Sequence, residues 1–211
     1  MCDLTTLSNF IVLEGLDGSG TTTQWELCRQ RLRQAAIPRF CTVEPTQDAI
    51  GCLIRDILAR KRAAHPETIA LLFAADRKQH LYEPHTGILA RHEQGHVIVS
   101  DRYLFSSLAY QSVECDFDFV YALNSRFPLP SHVIFVDTPI SVCKERWQGR
   151  DQHELFESEQ FQARVLAGYH RAFAMYESSP MAIHHVDGSK STKVIAEEVW
   201  KVMRLLPIVS M

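Results

Sequence analysis

The sequence predicts an α/β fold, a parallel sheet covered on both faces by helices. Two observations carry this. Short apolar runs alternate with long amphipathic stretches, the pattern of strand–helix–strand units rather than of hairpins. Two of the runs, "HVIVSD" and "SHVIFVD", are near-continuously apolar and end on an aspartate, Asp101 and Asp137. That design suits strands buried on both faces that deliver a polar group at their carboxyl ends.

Taken in order, "FIVLEG" (Phe10–Gly15) reads as a buried strand entering a glycine-rich turn. Helical spacing of Trp25, Cys28, Leu32 and Ala35 predicts a helix from Thr21 to Ala36. "RFCTVEP" is a second strand, ended by Pro45. "AIGCLIRDILARK" carries Ile50, Leu53, Ile54, Ile57 and Leu58 on one helical stripe. Helix resumes after Pro66, a favoured first-turn residue, and Pro84 is expected to kink or divide it. The runs ending at Asp101 and Asp137 follow, then a weaker strand "AIHHVDG" and a closing helix "TKVIAEEVWKVMRLL". No repeat, low-complexity tract or linker interrupts the 211 residues, so a single domain over 1–211 is expected.

Composition narrows the function classes. Apolar residues are 46% and charged residues 22%, a soluble globular balance. A net charge of -3 gives no footprint for duplex nucleic acid or an anionic membrane. No apolar run approaches the ~18 residues of a membrane span, and "MCDLTTLSNF" lacks the basic flank and apolar run of a signal peptide. The six cysteines, Cys2, Cys28, Cys41, Cys52, Cys115 and Cys143, show no C-x-x-C spacing and read as thiols of a reducing compartment. A cytoplasmic protein is expected.

The stretch "LEGLDGSGTTTQ" has the outline of the phosphate loop G-x-x-x-x-G-K-[ST], with Thr21 where the lysine belongs. Gly15, Gly18 and Gly20 permit close backbone approach, so successive N–H groups from Gly15 through Asp17, Ser19, Thr21 and Thr23 are expected to cradle ATP phosphates at the next helix's N-terminus. Thr22 holds the hydroxyl position that ligates Mg²⁺ in such loops. Asp101 is placed to reach that metal, and Arg102 offers a planar fork of donors for phosphate. In "LLFAADRKQ", Phe73 and Arg77 share a helical face, able to stack one face of a base and bond its edge. Ser106, Ser107, Tyr110 and Gln111 in "YLFSSLAYQ" are polar groups able to read a nucleoside. Core packing with a solvated charge is the competing reading of the Phe73–Arg77 spacing.

Together "EGLDGSGTTTQ", "EPT" with "IGCLIRDIL", "LLFAADR", "DRYLFSSLAYQ", "VIFVDTP" and "FQARVLAGYHRAF" resemble the thymidylate kinase family of P-loop nucleoside-monophosphate kinases, in family order over nearly the whole chain. The resemblance implies a doubly wound core of five parallel strands, a short lid over about 146–157, a homodimer, and transfer of the γ-phosphoryl of Mg·ATP to dTMP. It implies that Asp17 meets the deoxyribose 3′-OH, that Phe73 stacks on thymine, and that Arg77, Ser107 and Gln111 contact the base. It sets Tyr110 against the sugar, where its ring disfavours a ribose 2′-OH. Arg102, with Arg55, holds the acceptor phosphate, and Asp101 with Thr22 forms the metal site. Family members differ in where an arginine supplies transition-state charge. Gly18 occupies the loop position, which moves that requirement to the lid arginines Arg146 and Arg150, with Arg150 the first expected stand-in for the missing lysine. A further lid arginine is replaced near Leu155. Val43 stands where many members have arginine, and "SVECDFDF" replaces a glycine-rich stretch. The competing readings are a regulatory nucleotide-binding protein of the same fold without turnover, and a kinase for another pyrimidine monophosphate such as dUMP or UMP.

Other signals carry less. "HEQGH" spells a zinc-protease motif, but Gly95 and the strand beginning at His96 keep its histidines off one helical face. His184 and His185 adjoin on a strand and point to opposite faces. Trp25, Trp147 and Trp200 read as packing, and Lys190 and Lys193 as a solvated face.

Overall fold

The computed structural model describes residues 5–148 and 158–209. Five parallel strands form one sheet in the order β2-β3-β1-β4-β5. They are β1 (Thr6–Gly15), β2 (Arg39–Val43), β3 (Val97–Asp101), β4 (Leu129–Asp137) and β5 (Ala182–Asp187). The helices between them are α1 (Thr21–Gln34), α2 (Ala49–Leu58), α3 (Pro66–Tyr82), α4 (Ile88–Glu93), α5 (Leu104–Tyr110), α6 (Phe117–Asn124), α7 (Ile140–Gln148), α8 (Glu159–Met175) and α9 (Thr192–Met203), with a short 3₁₀ turn at Gln111–Val113. Arg150 and Leu155, with most of the lid expected over 146–157, lie outside the described residues, as does Cys2.

Strand alternation sorts the core into two layers. Phe10, Val12, Ile98, Val133 and Phe135 face α5 and α8, where Leu108, Tyr169 and Phe173 meet them. Ile11, Leu13, Val99, Ile134 and Val186 face α1 and α9, packed on Cys28, Leu32, Val199 and Met203. Both faces of β1 and β3 are therefore dry, which is why their sequences run apolar without alternation.

Several boundaries differ from the sequence reading; β4 begins at Leu129 rather than Ser131 and α9 ends at Met203 rather than Leu206, and three others have a local backbone cause. β1 begins at Thr6, because the chain before Phe10 pairs with Leu129 and Pro130 through an irregularity at Asn9, whose φ is 56°. α2 ends at Leu58 rather than running to Lys61. Arg60 turns left-handed at φ 58°, and the Lys61 and Arg60 N–H groups close back onto Asp56 and Ile57 carbonyls. α1 stops at Gln34 before a left-handed Ala36. Pro84 divides the long helical stretch, as α3 ends at Tyr82 and α4 starts at Ile88. "HEQGH" splits between the end of α4 and the residue before β3. Cys28, Cys41, Cys52, Cys115 and Cys143 are free thiols. Among the described residues no helix is long and apolar enough to cross a membrane.

Candidate active site

The register Leu13↔Asp101 puts the carboxyl ends of β1 and β3 side by side, so the loops leaving them share one crevice. In the first, Gly18 and Gly20 take φ values of 79° and 102°, a region closed to most side chains. α1 opens on Gly20 with no side-chain cap. Its first-turn N–H groups have no intrahelical partner, and they point where an anion is best placed. Thr21 is buried at the first helical position and brings no charge.

Two residues of α7 brace this loop from outside. The Arg146 guanidinium donates to the carbonyls of Gly18 at 2.9 Å, Ser19 at 3.0 Å and Gly188 at 3.2 Å. The Trp147 indole N–H donates to the Asp17 carbonyl at 2.7 Å. A Cβ at position 18 would stand 2.6 Å from that indole nitrogen.

Asp101 Oδ2 accepts the Thr22 hydroxyl at 2.6 Å. Its Oδ1 is buried and without a partner, a costly state unless a cation or water completes it. Two hard oxygen donors beside a phosphate cradle fit Mg²⁺, which takes one or two protein oxygens and fills its shell with phosphate and water. Among the described residues there is no group of three or more His, Cys, Asp or Glu able to hold a metal alone.

Arg102 follows Asp101 in a left-handed conformation, φ 69°, which turns its side chain back across the loop. It pairs with Asp17 at 2.7 Å and lies 5.1 Å over the Tyr110 ring. The second Asp17 oxygen accepts from Gln162 of α8 at 3.1 Å. Behind Arg102 lies Glu14, wholly buried, whose carboxylate accepts from the Tyr103 and Ser106 amides and the Ser106 and Tyr169 hydroxyls. Burial pushes its pKa up to about 7, against the pull of Ser106, Arg102, Tyr169 and Tyr103.

The other end of the crevice is built on α3. Phe73 is half-buried and faces the cavity, while Arg77 is only 1% exposed. The Arg77 guanidinium pairs with Glu44 at 2.7 Å, and bonds the Asn124 amide oxygen and, at 3.1 Å, the Ser107 hydroxyl. His80 bonds the same Glu44 at 3.0 Å and Thr42 at 2.6 Å. Burial works to raise the Glu44 carboxyl, but Arg77 and His80 outweigh it and hold it below the ordinary carboxylate range. Arg55 of α2 donates to the carbonyls of Pro45 and, at 3.4 Å, Thr46. The structure brings Arg77 and Ser107, both expected to contact the base, together in a direct bond of which the sequence gave no sign. Gln111 Oε1 is buried and without a partner beside the cavity.

One cavity of about 580 Å³ joins the two ends. Its walls include Gly18, Gly20 and Thr21–Thr23 on one side, Phe73, Arg77 and Gln111 on the other, with Asp17, Asp101 and Arg102 between. Arg55, Tyr110 and Arg146 also reach it, whereas Gly15, Ser19 and Ser107 do not line it. Residues 13–199 match the family model described as thymidylate kinase. The chain belongs to the thymidylate kinase family. Curated relatives carry that name, each with a qualifier. One from Treponema pallidum (strain Nichols) is 39% identical over 92% of this chain and 93% of its own. One from Methanococcus maripaludis is 38% identical over 78% and 77%, and one from Aeropyrum pernix 34% over 84% and 85%. Membership makes the protein an enzyme of the dTMP kinase class.

Four residues of the crevice escaped the sequence reading: Glu14, Glu44, Trp147 and Gln162. Each acts over long separations, 145 residues for Gln162 and Asp17. Only the buried acid in "VLEG" carried a local hint, since a glutamate inside an apolar strand needs partners.

Proposed function

We propose that this chain transfers the γ-phosphoryl of Mg·ATP to dTMP, giving dTDP and ADP. The observation that carries the reading is the single cavity in which an uncapped phosphate loop faces the Phe73–Arg77 pocket across Arg102. ATP lies on the loop and dTMP on α3, so the acceptor phosphate meets the γ-phosphate beside Arg102. Transfer then needs in-line positioning and cations rather than a strong base, because the attacking phosphate is already an anion. Bound Mg²⁺ on Thr22 and Asp101 would neutralise charge on the transferring group. Tyr110 lies under Arg102 and lines the cavity; we propose, from the family resemblance, that its ring crowds a ribose 2′-OH and so favours a deoxy substrate.

The lysine removed at Thr21 is a charge-assisted donor of the kind whose loss costs about 2.7–4 kcal/mol, or roughly two to three powers of ten in rate. Arg146 already sits on the loop, bonded to its carbonyls, and Arg150 follows four residues later. Both are proposed to supply the missing charge. Arg146→Ala and Arg150→Ala, assayed separately at saturating substrates, are each expected to lose at least about tenfold in kcat. Retention of full turnover by both would overturn the compensation. Thr21→Lys is expected to raise the rate only if compensation is incomplete.

The function is tested by ADP release with ATP and a panel of dTMP, dUMP, UMP and dCMP. Turnover with dTMP is expected to dominate. Tight dTMP binding without ADP release would instead support a regulatory role, which Thr21 and Val43 favour. We also propose a homodimer, supported by exposed Leu53 and Leu71 on the packed pair α2 and α3. Light scattering checks it, and Leu71→Glu is expected to shift the mass toward the monomer.

A further inference from the structure

The Glu14 carboxylate is buried directly behind Arg102, and the mechanism leaves it without a task. Its four acceptor positions are divided by chemistry. Oε1 takes two backbone donors, Tyr103 N at 2.9 Å and Ser106 N at 3.3 Å. Oε2 takes two hydroxyls, Ser106 at 2.5 Å and Tyr169 at 2.9 Å. Arg102 Nη1 donates to the same two hydroxyl oxygens, at 3.2 and 3.3 Å, and to the Gly15 carbonyl at 2.9 Å. The two hydroxyls also lie 2.9 Å apart, and Tyr169 has the Gly15 carbonyl at 3.1 Å as a second acceptor. A hydroxyl has one hydrogen; when Glu14 is ionised it is the strongest acceptor for both, and both oxygens then turn lone pairs to Arg102.

We infer that Glu14 is a positioning residue for phosphoryl transfer: its ionised carboxylate sets the polarity of the Ser106 and Tyr169 hydroxyls and thereby aims Arg102 at the acceptor phosphate. This rests on the reading that Arg102 holds that phosphate. A proton on Glu14 must go to Oε2, because Oε1 faces two N–H groups. There it donates to one hydroxyl, whose own hydrogen must find another acceptor: for Ser106 the Tyr169 oxygen at 2.9 Å, for Tyr169 the Gly15 carbonyl at 3.1 Å, which Arg102 Nη1 also uses at 2.9 Å. The acceptors that hold Arg102 are thereby rearranged, and the carboxylate charge behind it is lost.

The groups facing Glu14 are Arg102 and Tyr103 on the β3–α5 turn, Ser106 of α5 and Tyr169 of α8, with Asp17 and Tyr110 in contact with Arg102. Its pKa near 7 places the change inside an accessible assay range.

Glu14→Gln puts an NH₂ where Oε2 stands, so that, like the protonated acid, it is uncharged and donates toward the hydroxyls, at every pH. It is expected to lower kcat/KM for dTMP by about tenfold or more, as small misplacements of an acting group do, with KM for ATP unchanged. The wild-type rise in kcat/KM for dTMP through pH 7 should shrink in the variant to the limb that dTMP's own phosphate ionisation gives. In an Arg102→Ala background the Glu14→Gln loss should vanish, whereas a merely structural role would leave the two losses multiplying. Unchanged kcat/KM, an unchanged pH limb, or multiplying losses overturn the inference. Should Glu14→Gln not fold, Tyr169→Phe keeps the ring that packs 5.0 Å from Phe135 and removes only the hydroxyl. It should lower kcat/KM for dTMP with the pH limb retained, and no loss there overturns the inference equally. Failure of the underlying reading looks different: Arg102→Ala itself would then bind and turn over dTMP normally.

Discussion

At the scale of single residues, position 18 shows how one neighbour fixes a choice. Trp147 fills the space beyond Gly18 and bonds the Asp17 carbonyl, and the Cys143 carbonyl closes the other side at 3.0 Å from any added Cβ. A side chain there meets both a positive φ and a wall. Gly18→Ala is therefore expected to cost about 1–3 kcal/mol, the range for overpacking, read as a shift in the urea midpoint at constant slope. The same wall explains why an arginine could not supply transition-state charge from this position without removing Trp147. Gly18 was legible in the sequence as the site of a missing arginine. Its physical reason was not, because Trp147 lies 129 residues away and reads locally as ordinary helix packing.

At the scale of elements, one face of α3 holds its end of the crevice together. Phe73, Asp76, Arg77 and His80 recur at helical spacing, and three of them grip the turn after β2. Asp76 accepts from the Thr46 amide at 2.8 Å and its hydroxyl at 2.6 Å, while Arg77 and His80 hold Glu44. Spacing alone showed the shared face of Phe73 and Arg77. It could not show that Arg77 is 1% exposed, since an arginine's burial depends on an acid from another element. Arg77→Lys tests this anchoring. A lysine ammonium cannot match a fork that spans Glu44, Asn124 and Ser107, and Glu44 would be left in the core with its pairing weakened. The expected loss is about 3–5 kcal/mol of stability, the range for breaking a buried pair, measured by urea unfolding. KM for dTMP should rise in parallel, because Phe73 sits one turn from the disturbed anchor.

At the scale of the whole molecule, the alternation of apolar runs with amphipathic stretches carried all five strands and their parallel sense; β1 and β3, dry on both faces, leave the plainest runs, while the half-exposed edge strands β2 and β5 leave weaker ones. Helices α5, α6 and α8 were harder to read, since buried α5 and the short α6 lack a polar stripe and α8 first mattered as a family motif. What the sheet does with charge emerges only when it is assembled. It buries two glutamates at the same crevice with opposite consequences. Glu14 has its pKa raised to about 7 from an ordinary 4.5, so the folded state holds its proton more tightly than the unfolded chain. Its contribution to stability is complete below about 4.5 and is lost as pH rises through 7. Glu44 is held low by Arg77 and His80, so its contribution is present above the ordinary carboxylate value and is lost as pH falls through its lowered one. Stability should thus be greatest on the acid side of neutrality, between these two windows. Activity, which needs Glu14 ionised, should peak above that optimum. Replacing Glu14 by glutamine removes the titration, so the difference in unfolding free energy between wild type and Glu14→Gln should change by roughly 3 kcal/mol between pH 8 and pH 4.5, wild type gaining toward acid. Urea unfolding of both proteins across that range checks it. A difference that stays flat with pH would mean that the buried carboxylate is already ionised at acid pH, and with it the separation of the stability and activity optima would disappear.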